Sequence, residues 1–589
     1  MINIDENKKL SAQIASLAKK SVNYFDVEEE FFLIDSNNLS QVHSQLYGYS
    51  IQRSGIYEAD NLTPEAIAGL DGHGCYVYVE VKDGQITIKQ DMNGCWGIYL
   101  FRHGDYFALS NSFFRLLDHV KFHYPLTVNM DYCYQYLTDK VCSHAYLETA
   151  VNEIKLIERN AIVRVDIKEK NFHIDFIDYR EHSVPLDSEK AINVLDNWFE
   201  FWSNVLCGVA KNTRFFKIAL SGGFDTRISL SLALNSGIDL TKIRINSSES
   251  TLHTFSEDYK IASKIAEHYG FELNRPFPES TFLRYSLADT YNIETHSQLT
   301  FHSLPEVNAS VKNIDKFYSL DGSGGELIRG NWLRFNSWKE FVEGRLKRVA
   351  GYSGSLSKRL AVSLKNSLES AGHALSSKYN IEDDNSAYIQ QYLYHDVRAR
   401  NHFGKACLIR YLKGTISLQP VFDPGIQTLR FDSSECPDYQ MLVALIFARY
   451  APDLLKFPFQ GGRSIAPATI EFAKKINERF PLAKRDKRNT TIGKEFCLQP
   501  RDLRAEKILS SGNNNPKMPS GFPGTCLKAT FESTKTFKLF TSYFDEELYQ
   551  YAKSYYDTHA FGRIRPLYAV VAVTKVLEDV EFSQRNPSA

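Results

Sequence analysis

One short run, Phe215-Phe216-Lys217-Ile218-Ala219-Leu220-Ser221-Gly222-Gly223-Phe224-Asp225-Thr226-Arg227, constrains the fold more than any other part of the chain. Its aromatic and aliphatic first half reads as a buried strand. Ser-Gly-Gly then permits a sharp turn, because glycine tolerates positive φ. Ile228, Leu230, Leu232, Ala233 and Leu234 supply the apolar positions of a following helix. Strand, glycine turn and helix N-terminus together form a cradle of backbone N–H groups, aided by the helix dipole, that suits a pyrophosphate. The run lacks the Gly-Lys-Ser/Thr ending of a Walker A loop, so it does not read as a γ-phosphate grip.

The 589 residues exceed one ordinary core, so two to four domains are expected. Hydrophobic content of 43% with 24% charged residues is that of a globular protein. A net charge of −1 gives no global field for nucleic acid or an acidic membrane. Met1-Ile2-Asn3-Ile4-Asp5-Glu6 lacks the apolar core of a signal peptide. No stretch approaches the roughly 20 apolar residues that span a bilayer. A cytoplasmic protein is the expectation. The nine cysteines are scattered and form no Cys-x-x-Cys pair, which argues against a disulfide framework and a thiolate zinc site.

Residues 1–190 are strand-rich. Cys75–Val81, Gly97–Phe101, Tyr106–Leu109, Asn160–Asp166 and Phe172–Ile177 are strand candidates, with Asp83-Gly84 and His103-Gly104 as turn signals. From 191 onward helices dominate, at Ala191–Ala210, Asp225–Asn235, Ser256–Gly270, Ile381–Arg400, Tyr439–Tyr450 and Ala466–Phe480. Ser256 is placed to cap its helix, with Glu257 and Asp258 in the first turn. Phe215–Leu220, Ile243–Asn246 and Phe317–Leu320 alternate with helices, which fits a parallel sheet with ligands at the carboxyl ends of its strands. Lys484, Arg485, Lys487 and Arg488 open a polar stretch that reads as a surface loop.

Taken together, these runs resemble the asparagine synthetase-like family, and the Ser221–Arg227 segment resembles the PP-loop of ATP pyrophosphatases, Ser-Gly-Gly-x-Asp-Ser/Thr. The resemblance covers roughly residues 70 to 470, with the motifs in the family's order. It takes in Asp91–Leu100, Phe107–Asn111 and Leu147–Leu156 in the first domain. In the second it takes in Ser256–Gly270, Gly322-Ser323-Gly324-Gly325-Glu326, Gln419–Asp423 and Pro452–Gly461. The fold it implies is an α+β N-terminal Ntn-hydrolase-like sandwich (1–190), followed by an α/β PP-loop domain (191–480) of the adenine nucleotide alpha hydrolase-like type. Residues 481–589 would be a helical extension of the synthetase domain.

The resemblance implies ATP and Mg²⁺ as cofactors. Ser221, Gly222, Gly223, Asp225 and Thr226 would hold the phosphates, and Arg227 would pair with a phosphate or anchor its helix to an acidic neighbour. Asp225, Glu326 and the nearby Asp321 would be the metal carboxylates. Three departures from the family pattern stand out. Ile2 replaces the nucleophilic cysteine of the glutaminase, so the first domain is expected not to hydrolyse glutamine. Ser323 stands where several relatives carry the amine-activating Glu or Tyr. Phe459 stands where relatives carry a lysine that stabilises the acyl intermediate, leaving Arg463 or Lys456 as substitutes. The implied activity is AMP- and pyrophosphate-forming amide-bond synthesis between a small-molecule or peptide carboxylate and an amine, in natural-product or surface-polysaccharide tailoring. An amidotransferase fed external ammonia and a non-catalytic homologue acting as scaffold or partner are the alternatives. A homodimer or a pathway partner protein fits any of the three.

Overall fold

The computed structural model describes residues 27–138, 145–159, 161–176, 184–249, 253–284, 311–329, 335–349, 354–427, 429, 440–482, 496–510, 530–558 and 565–585. Ile2 and the cluster Lys484, Arg485, Lys487 and Arg488 lie outside these. The described residues form a mixed α/β structure with two larger antiparallel sheets, a small antiparallel pair, a parallel sheet and a helical C-terminal part.

The N-terminal part holds β1 (Leu33–Asp35), β2 (Gln45–Gln52), β3 (Gly55–Tyr57), β4 (Gly74–Lys82), β5 (Gln85–Gln90), β6 (Tyr99–His103), β7 (Tyr106–Ser110), β8 (Ile154–Leu156), β9 (Ala161–Asp166) and β10 (Asn171–Phe176). Six of these pair antiparallel in the order β10-β9-β5-β4-β2-β3, and four in the order β1-β7-β6-β8. The Asp83-Gly84 turn between β4 and β5 has positive φ at both residues, the geometry that matches strand twist in a two-residue hairpin. Alternation sorts the faces. Val77, Val79, Ile86, Ile88, Val163 and Val165 meet Phe107 and Leu109 in one core. On the opposite face of the smaller sheet, Tyr99, Phe101 and Ala108 are covered by helices Phe113–Val120 and Met130–Thr138.

The second part begins with the helix Glu189–Asn212. Ser188 caps it by accepting from the Ala191 amide (3.2 Å), a contact worth about 1 kcal/mol. Its apolar stripe includes Leu195, Trp198, Trp202, Val205 and Val209. Strands β11 (Phe216–Ala219), β12 (Arg244–Asn246), β15 (Phe317–Leu320) and β16 (Thr415–Leu418) follow, with a small antiparallel pair, β13 (Phe282–Arg284) and β14 (Val311–Asn313), between them. The large sheet is parallel throughout, in the order β12-β11-β15-β16.

One expectation changes. The helix placed at Ser256–Gly270 spans His253–Tyr269, so Ser256 lies inside it and does not cap it. The C-terminal helices Thr534–Tyr543, Glu546–Thr558 and Arg565–Arg585 pack against both parts of the chain, meeting Leu356 and Leu360 of the second. Phe540, Leu548, Leu567, Val573 and Leu577 share a core with Phe101, Leu117 and Tyr136 of the first. Among the described residues, no helix is long and apolar enough to cross a membrane.

Candidate functional site

In the parallel sheet the chain passes from β11 to β12 on one side, and β15 then lies on the other side of β11. The crevice at the carboxyl ends of β11 and β15 is the topological switch point, where open α/β sheets bind ligands. Two glycine-bearing loops meet there. The Ser221–Gly223 turn leaves β11, and the Gly322–Gly325 loop leaves β15.

The turn opens the helix Phe224–Asn235, whose N-cap residue is Gly223, and no side chain caps it. The turn amides have internal partners. Ser221 N donates to Thr226 Oγ1 (3.0 Å), and Gly223 N donates to Ser221 Oγ (3.2 Å). Gly222 N donates to Asp258 Oδ1 (2.6 Å). Burial of Asp258 raises its carboxyl pKa, while the Gly222 amide and Arg463 pull it down. The neighbouring Glu257 accepts from Gly461 N.

The second loop is built around Asp225. A Cβ on Gly325 would sit 2.1 Å from Asp225 Cγ, so only glycine fits there. Gly324 adopts φ +94 against Phe422. Asp225 Oδ2 accepts from Arg329 Nη2 (2.8 Å). Its Oδ1 is buried with no hydrogen-bond partner. Burial raises the Asp225 pKa, opposed by the Arg329 charge; Glu326 raises it further and Arg463 lowers it.

The other carboxylates are engaged as well. Glu326 Oε2 accepts from the Tyr394 hydroxyl. Asp321 Oδ1 accepts from Ser323 N (2.9 Å), and Asp321 Oδ2 pairs with Arg410. An orphaned oxygen on Asp225 suits a cation, which would take oxygen ligands. The three acidic residues do not converge, however. Among the described residues, no group of three or more His, Cys, Asp or Glu is arranged to hold a metal.

The candidate cations differ in placement. Arg463 lies 5.6 Å from the Phe224 ring, and its charge reaches both Asp225 and Asp258. Lys456 is exposed and pairs with Asp453 (2.6 Å). Arg227 is fully buried. Its guanidinium donates to the carbonyls of Leu454 (3.4 Å), Phe457 (3.1 Å), Gly222 (3.1 Å) and Pro458. It lies 4.1 Å from the Phe459 ring, and Phe459 in turn stacks on Phe224. Burial lowers the Arg227 pKa to about 10, against the pull of Asp258. Arg227 therefore ties the 454–458 segment to the turn and is not exposed to a phosphate. A lysine at 459 would place a second cation on this buried one, a physical reason for phenylalanine there.

Sequence reasoning missed Asp258 as a contact of the turn, and Arg329, Tyr394 and Arg410 as partners of the three carboxylates. Arg329 lies one helical turn beyond Gly325 and carried a local signal. Tyr394 and Arg410 carried none. No known family model matches the chain, and no curated protein matches its sequence.

Proposed function

We propose that this chain is an ATP-dependent ligase that forms a carbon–nitrogen bond and releases AMP and pyrophosphate. The observation that carries this reading is the meeting of the Ser221–Gly223 turn and the Gly322–Gly325 loop at the switch point, with Asp225 Oδ1 buried and unpartnered between them. In finer terms, the second domain is read as a PP-loop fold and the first as an Ntn-hydrolase-like sandwich.

The chemistry follows in two steps. A substrate carboxylate attacks the α-phosphorus of ATP, the α–β bridging bond breaks, and pyrophosphate leaves. An amine then attacks the acyl carbon, AMP departs, and the amine proton passes to solvent. Ser221, Thr226 and the uncapped first turn of the helix Phe224–Asn235 hold the pyrophosphate. A helix end supplies only about 1 kcal/mol toward an anion, against about 8 kcal/mol for micromolar affinity. Arg463 and Arg329 must therefore contribute charge, and Asp225 with Glu326 would hold Mg²⁺. The ion, when bound, neutralises the departing pyrophosphate. Binding also requires the phosphates to displace Asp258 from the Gly222 amide.

That last contact favours a second reading, a non-catalytic partner protein whose turn is closed by its own carboxylate. Calorimetric titration with Mg²⁺ and ATP separates the two. A ligase binds, and Asp225→Ala abolishes binding. A chain that binds no nucleotide, and releases no pyrophosphate across a panel of carboxylates and amines, overturns the ligase.

A further inference from the structure

Eleven consecutive residues, Tyr394–Gly404, are wound as a π-helix between the α-helical residues Tyr388–Leu393 and Lys405–Leu412. Such winding is rare, gives up the α-helical hydrogen-bond pattern, and recurs at functional sites. Here it separates two sets of contacts. Tyr394 donates to Glu326, Arg398 lies 5.9 Å from the Tyr394 ring, and His402 feels the Glu326 charge. These three, spaced by four, mark the side nearest the glycine loop. Asp396, Arg400 and Gly404, also spaced by four, mark the side against the first domain.

The second set is buried and polar. Asp396 Oδ1 accepts from Arg159 Nε (2.8 Å), and its Oδ2 accepts from Lys378 (3.0 Å) and the Tyr379 hydroxyl (2.8 Å). Arg400 donates to the carbonyls of Gly94 (2.9 Å) and Ile157 (2.7 Å) and to Gln90 Oε1 (3.2 Å). Gly94 has φ +59, and a Cβ there would sit 2.8 Å from Arg400 Nε. A Cβ on Gly404 would come 2.8 Å from Cys95 Cα. Arg400 is 2% exposed and Asp396 5%, so water does not substitute for these partners. Domain adhesion alone would require the second set and not the first. The first set ends on a carboxylate that directly follows the Gly322–Gly325 loop.

Building on the ligase reading, we propose that this π-helix is the element through which the first domain positions Glu326. Asp396 and Arg400 are positioning residues that act through Tyr394.

The test compares Tyr394→Phe, Arg400→Lys and Asp396→Asn with the control Arg449→Lys. Arg449 is also buried but pairs with Asp196, outside this network. Hydrogen exchange of amides 322–329 is read first, on the full chain without ligand. Calorimetry then gives the Mg²⁺ concentration at half-saturation of ATP binding. Exchange in 322–329 should quicken about tenfold in the three variants and not in the control. The Mg²⁺ midpoint should rise about tenfold, as it does when a carboxylate's supporting partner is lost, with nucleotide affinity at saturating Mg²⁺ retained. Wild-type exchange in 322–329 for both Tyr394→Phe and Arg400→Lys overturns the proposal, as does an equal rise in Arg449→Lys. Tyr394→Phe removes a single hydroxyl, so it keeps the test decisive should Arg400→Lys fail to fold. A wild-type chain that binds no Mg²⁺–ATP refutes the ligase and leaves the exchange result to decide the positioning.

Discussion

Arg227 shows how one buried charge dictates its neighbours. Carbonyls and one aromatic face replace its hydration, and its nearest carboxylate influence is Asp258. Phe459→Lys should destabilise the chain by about 3 kcal/mol or more, read as a lower urea midpoint. Phe459→Leu, which keeps the site apolar, should cost about half as much or less. At the turn, Asp258→Ala releases the Gly222 amide and removes a competing negative charge. Pyrophosphate affinity should rise about tenfold, roughly 1.4 kcal/mol, within the range for a hydrogen bond to a charged group. Unchanged affinity in a pyrophosphate titration would show that the turn is not where the anion binds. The strand and helix flanking Ser221–Gly223 were legible because their determinants lie within a dozen residues, but the positive φ expected of its glycines is not found, and Gly223 has φ −80. Arg329, the partner of Asp225, carried a signal only through its place beside the Gly322–Gly325 loop, and the partners of Glu326 and Asp321 were not legible, since they sit 68 and 89 residues away in sequence. A single chain read alone carries no trace of pairs at that distance.

At the scale of elements, the sheet is held by short parallel strands, so its loops must meet closely. Gly325→Ala should abolish Mg²⁺–ATP binding while leaving the far-ultraviolet circular dichroism intact, because the added methyl collides with Asp225 and not with the core. The strands at 74–82, 106–110, 161–166 and 317–320 were readable from alternation or from continuous apolar runs. Strand β16, Thr415–Leu418, was missed. Four residues ahead of Gln419-Pro420 give too short a pattern to distinguish a strand from a loop. Residues 381–400 were expected to form one α-helix. The segment is helical from 388, but apolar periodicity does not distinguish i→i+4 from i→i+5 bonding, so the π-helix was invisible.

The molecule as a whole is joined across its domains by buried ion pairs. His73 of the first domain meets Asp423 of the second (2.8 Å), and Trp202 Nε1 donates to the same carboxylate oxygen (2.7 Å). Burial lowers the His73 pKa, but Asp423 and Asp71 together raise it to about 10. Burial raises that of Asp423, but His73 holds it below the ordinary carboxylate range. For His73 the native state binds the proton more tightly, so its contribution is complete below about pH 6.5 and is lost as pH climbs toward 10. For Asp423 the contribution is present above the usual carboxylate range and lost in acid. Stability against urea should therefore fall between pH 7 and 10, and His73→Gln should flatten that slope. An unchanged slope in the variant would remove the pair from the account. Lys316 with Glu58, and Lys312 with Glu30 (3.7 Å), extend the same junction, so one cooperative melting transition is expected for both domains.

The packing of the helices between 534 and 585 on the first domain sets an order of events during synthesis. Phe114 and Tyr136 on the helices Phe113–Val120 and Met130–Thr138 emerge from the ribosome early, while the helices between 534 and 585 that share their core are translated much later. At about 5–20 residues per second those side chains wait tens of seconds in the cell without their later partners. A nascent chain stalled before residue 530 should accordingly be retained by chaperones and released only once the helices between 534 and 585 are made.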